Sequence, residues 1–105
     1  MTSLFRNTVV AVALILAVAP TAHAQDKGQI EQALRESGRY AATVLISDSG
    51  KGRADYDLVT GQWREYEPHW HTGQTMLGLI EAWRIVEEPL FLDAARRGGD
   101  WWIST

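Results

Sequence analysis

The sequence predicts an all-α fold of antiparallel helical hairpins, and three observations carry that expectation. Apolar residues recur at three- and four-residue steps over two stretches, 25–47 and 89–104. Between them, Thr75 to Val86 is apolar almost all the way round, and Glu87-Glu88-Pro89 leaves only a very short turn before the last stretch. The all-round apolar helix organises the rest. A helix with one apolar stripe rests on one neighbour, whereas this pattern predicts burial on more than one side.

The first 24 residues read as a cleaved secretory signal. Arg6 supplies a positive start and Val9 to Ala19 is an uninterrupted apolar run. Ala22-His23-Ala24 places small residues at both positions that cleavage requires, so cleavage is expected after Ala24. The run falls short of the roughly 20 apolar residues that span a bilayer. With no cysteine in the chain, neither a lipid anchor nor a disulfide framework is available. The expected location is periplasmic or secreted, with no membrane association after cleavage. A net charge of −3 leaves no basic patch, so nucleic acid is not an expected partner.

Residues 25–105 are expected to form a partial helical domain. Its first helix is placed at about 26–47, with Ile30, Ala33, Leu34, Ser37, Ala41, Val44 and Leu45 on one face and Glu31, Gln32, Arg35, Glu36 and Arg39 on the other. Gly38 in its middle costs about 1 kcal/mol relative to Ala. Ser47-Asp48-Ser49-Gly50-Lys51-Gly52 then stops the helix with turn residues. A long loop follows over 48–71, and Tyr56, Trp63 and Tyr66 argue that it is ordered. Asp57 to Trp63 fits a short hairpin with Thr60-Gly61 at its turn. The same stretch invites comparison with a calcium loop, but Val59 stands where an oxygen ligand belongs and Gly61 arrives one residue late.

The second helix is placed at 72–87, with the Thr72 hydroxyl as its N-cap. Met76, Leu77, Leu79, Ile80, Ala82, Trp83, Ile85 and Val86 cover most of its circumference, interrupted by Gln74, Glu81 and Arg84. Pro89 suits the first position of a third helix over 89–104, in which Phe91, Ala94, Ala95, Gly98 and Trp102 share a face. Gly98-Gly99 permits either a close helix approach or an early end. The closing Trp101-Trp102-Ile103-Ser104-Thr105 carries no stop signal, and so small an exported domain without staples has little core of its own. An N-terminal fragment of a larger fold is the expectation.

Thr72-Gly73-Gln74-Thr75-Met76-Leu77-Gly78-Leu79-Ile80-Glu81-Ala82-Trp83-Arg84, followed by Phe91-Leu92-Asp93-Ala94-Ala95-Arg96-Arg97 and Asp100-Trp101-Trp102, resembles the helical-hairpin repeat of six-hairpin glycosidase-like toroids. That superfamily includes unsaturated glucuronyl hydrolases, N-acylglucosamine 2-epimerases and β-L-arabinofuranosidases. The resemblance covers Trp70 to Trp102. It implies the opening portion of an (α/α)6 toroid, a carbohydrate substrate with a uronide among the candidates, no cofactor, and a cleft lined by inner-helix ends and connecting loops.

Within that reading, Glu67-Pro68-His69-Trp70-His71-Thr72-Gly73-Gln74 holds most of the candidate site. Trp63 and Trp70 can stack on the apolar face of a sugar ring, while His69, His71 and Gln74 can hydrogen-bond its hydroxyls or carboxylate. A structural role competes for each: Trp70 and Trp83 as core, His71 as a satisfied residue at a helix start, Gln74 as part of the cap. Catalytic residues are not assigned. Asp55, Asp57, Glu65 and Glu67 are the loop carboxylates, and none sits in a motif that marks the paired acids of a glycosidase. His69 and His71 would face one metal ion only on extended backbone, and no third strong ligand follows, so no metal is assigned. Neither a nucleophile elbow nor a phosphate loop occurs. Two function classes remain: an exported glycoside or uronide hydrolase-like protein, inactive in this portion alone, and a non-catalytic helical scaffold or saccharide- or protein-binding fragment.

Overall fold

The computed structural model describes residues 26–105, so the expected signal segment 1–24 lies outside the described residues. Three helices and one small hairpin make up the fold. Helix α1 spans Lys27–Tyr40. Asp26 caps it, accepting from the Gln29 N–H at 2.7 Å, while the Gln29 side chain accepts from the Asp26 N–H at 3.2 Å. This reciprocal pair satisfies two of the free N–H groups that every helix start leaves.

The chain continues as a π-helical turn, Ala41–Leu45, in place of the straight helix to residue 47 that periodicity predicts. Thr43 donates its hydroxyl to the Arg39 carbonyl at 2.6 Å, a local bond that competes with the regular ladder. Widening the turn frees backbone carbonyls. Arg97 reaches across from the last helix and donates to the Ala42 carbonyl at 3.1 Å.

The 48–71 segment is ordered. Strands β1 (Asp55–Asp57) and β2 (Gln62–Arg64) pair antiparallel, with Tyr56 opposite Trp63, so the fold is mostly helical rather than purely so. Asp57 holds the turn, and Gly61 takes the positive φ of 68° that the reversal requires. The Thr60-Gly61 signal therefore marks a real hairpin.

Helix α2 spans Pro68–Val86 and so begins four residues before the expected Thr72 cap. Glu67 takes a left-handed conformation, φ 42°, and Pro68 occupies the first helical position, where a missing N–H costs nothing. Thr72 is fully buried inside the helix and serves as a link to the loop. Its hydroxyl donates to the Pro68 carbonyl and accepts the Gly52 N–H at 2.7 Å. At the other end Glu87 turns left-handed, and Pro89 opens α3, Pro89–Ser104. Glu88 in this joint accepts from Arg39 at 2.9 Å, tying the α2–α3 turn to α1.

The core lies where the three helices meet: Ala42, Ile46, Leu79, Ala82, Phe91, Ala94 and Ala95. Two glycines set the spacing. A Cβ on Gly38 would run into the Phe91 ring, and one on Gly98 would lie 2.8 Å from Met76. Gly98 thus permits close approach and does not end α3. The expected all-round burial of α2 is corrected by this packing. Helices α1 and α3 cover adjacent sides, leaving Trp70, Leu77 and Ile85 at 57%, 61% and 58% exposure on a third side that no described residue covers.

Candidate functional site

The early start of α2 decides where the candidate residues point. His69, Trp70 and His71 lie in its first turn, and successive helical residues diverge by about a quarter turn each. His69 faces the end of α3. Its ring packs tilted against Trp101 at 4.8 Å and meets Trp102 edge-on at 5.5 Å, and its Nε2 lies 2.7 Å from the Thr105 hydroxyl. Trp102 in return donates its indole N–H to the His69 carbonyl at 2.9 Å.

His71 points the other way. It lies half-buried against Tyr66 at 5.8 Å and Trp70 at 4.9 Å, with its Nε2 buried and unpartnered. Two histidines two residues apart on a helix cannot share one ion, and no cluster of three or more His, Asp or Glu side chains occurs among the described residues.

Trp70 projects outward beside Gln74, one turn further along α2. Together with His69, Gly73, Leu77 and Trp102 they line an open hollow of about 540 Å³. Its floor exists because Gly73 carries no side chain; a Cβ there would meet nothing within 4 Å. The walls are largely apolar and aromatic, and Gln74 supplies an amide that both donates and accepts. Three of the five predicted residues, His69, Trp70 and Gln74, therefore converge.

Trp63 and His71 do not join them. Trp63 borders a separate, more polar hollow of about 450 Å³ with Ser47, Lys51, Arg53, Arg64 and Glu65. Its ring is engaged within the chain, meeting the Tyr56 ring at 5.1 Å with the Arg53 guanidinium 5.8 Å from its centre. Sequence reasoning missed Trp102 and Leu77 as lining residues. The adjacent tryptophans near residue 105 were the available signal, since so much aromatic surface needs a neighbour.

Two of the four loop carboxylates, Asp57 and Glu65, are engaged within the fold. Asp57 accepts from the backbone N–H groups of Thr60 at 3.2 Å and Val59 at 2.8 Å and pairs with Arg64. The Thr60 and Val59 bonds foremost, with Arg64 adding to them, hold its carboxyl below the ordinary value. A catalytic acid needs the opposite shift. Glu65 pairs with Lys51 at 2.7 Å, and Glu67 is the left-handed residue that launches α2. None of these carboxylates lines the aromatic hollow.

No family model matches this chain, and neither a curated protein nor a solved structure matches it. No described helix is long and apolar enough to cross a membrane.

Proposed function

We propose that this chain is an exported carbohydrate-active protein, glycoside or uronide hydrolase-like, whose described portion supplies the sugar-holding wall of a cleft rather than the catalytic acids. The observation that carries the reading is the hollow at the start of α2. An exposed indole, a second indole in the same lining and an adaptable amide are the elements that hold a pyranose, whose C–H face stacks on an aromatic ring while its hydroxyls hydrogen-bond at the edge.

The architecture is consistent with the opening of a helical toroid. Helices α2 and α3 form a hairpin with a two-residue joint, and α2 keeps an apolar side for further neighbours. The engagement of Asp57 and Glu65 in turn and ion-pair contacts favours binding over hydrolysis by these residues alone. Calorimetric titration with glucuronide and neutral disaccharides tests the reading. Trp70→Ala is expected to weaken saccharide binding about tenfold, the scale of one lost aromatic contact. Equal affinity in wild type and variant would remove the hollow from the site.

A further inference from the structure

No lysine, arginine, aspartate or glutamate lines the hollow at the start of α2. Trp70, Leu77 and Trp102 give it apolar and aromatic walls, and the Gln74 amide is neutral. His69 is the one lining residue able to take up a proton, and its Nε2 lies 2.7 Å from the Thr105 hydroxyl. The arginines of α2 and α3 are turned elsewhere. Arg84 pairs with Glu81 at 2.9 Å, Arg96 with Asp93 at 3.7 Å, and Arg97 donates to the Ala42 carbonyl at 3.1 Å.

The charge that stands beside the hollow is negative. Glu67 borders an adjoining hollow with Pro68, His69 and Trp70, so the two hollows share His69 and Trp70 as a wall. It directly precedes the first residue of α2, the end at which backbone N–H groups attract negative charge. A carboxylate of the chain is therefore already present at the one end of α2 that favours an anion.

We infer that the hollow selects an uncharged sugar ring over a uronate, and that Glu67 contributes to this preference. The inference rests on the saccharide reading of the hollow and names the class of ring it takes. A neutral pyranose stacked on an indole offers C–H groups to the aromatic wall and hydroxyls to Gln74. A ring carboxylate held there gives up water on the side of the wall and finds no cation in exchange. It also meets the negative face of the indole and the field of Glu67. In a glucuronide disaccharide the uncharged ring is accordingly the one that enters, with the uronate left in water.

Methyl glucoside and methyl glucuronide, which differ only at C6, test the inference. Each is titrated into the full chain at low salt and about pH 8, where imidazoles are ordinarily neutral, while the Trp70 and Trp102 indole signals are followed by nuclear magnetic resonance. The glucoside is expected to bind about tenfold tighter than the glucuronide. Glu67→Gln is expected to bring the two within about threefold by tightening the glucuronide alone, and added salt to narrow the wild-type gap through screening. Equal or tighter binding of the glucuronide by wild type overturns the inference and leaves the saccharide reading standing. A gap that neither Glu67→Gln nor salt alters overturns the part given to Glu67. If neither sugar moves the two indole signals, the saccharide reading fails and this inference with it.

Discussion

The hydroxyl of Thr72 accepts the Gly52 N–H at 2.7 Å in the interior of the protein while donating to the Pro68 carbonyl one turn back. A single side-chain oxygen thereby fixes the loop after α1 against the first turn of α2, the turn that carries His69, Trp70 and His71. Thr72→Val keeps the shape and leaves the Gly52 donor buried without a partner. The expected cost is about 1–3 kcal/mol in denaturant unfolding. Thr72→Ser retains both bonds and loses one methyl group, for about 1 kcal/mol.

Glycines at two positions are expected to respond oppositely to the same change. At Gly38 the new methyl would enter the Phe91 ring, so Gly38→Ala should destabilise by about 1–3 kcal/mol despite its better helix propensity. At Gly73 the methyl meets open space, and Gly73→Ala should stabilise by up to about 1 kcal/mol. Thermal unfolding of the two variants checks the pair. Gly73→Ala also raises the floor of the hollow, so its gain in stability should come with weaker saccharide binding.

Acid should loosen the β1–β2 hairpin before the helices. Because the folded Asp57 carboxyl titrates below its ordinary 3.8, its contribution is fully present above that value and is lost as pH falls through the lower folded value. Amide resonances of Val59 and Thr60 report the change directly. In Asp57→Asn the acid-induced shift at these two amides should vanish, since the replacement does not titrate.

The helices were legible because burial follows sequence period, and α3 spans the expected 89–104 from a proline that suits its first turn. The start of α2 was not. Thr72 has the chemistry of a cap, but the left-handed Glu67 and Pro68 open the helix a turn earlier, and the hydroxyl is used for a contact 20 residues away. The π-helical turn at Ala41–Leu45 was equally hidden, since its carbonyls depend on Arg97 from the far end of the chain. The site was half legible for the same reason. Trp70 and Gln74 are one helical turn apart and could be paired from spacing, whereas Trp102 joins them through packing between α2 and α3, with its indole bonded to His69 33 residues earlier.

The chain's five tryptophans provide the most direct test of the saccharide hollow, because each indole N–H gives its own nuclear magnetic resonance signal. On titration with a glucuronide disaccharide, the signals of Trp70 and Trp102 are expected to shift together with one affinity, while those of Trp63 and Trp83 stay in place. Stationary Trp70 and Trp102 signals at saturating sugar, or a shift confined to Trp63, would contradict the account.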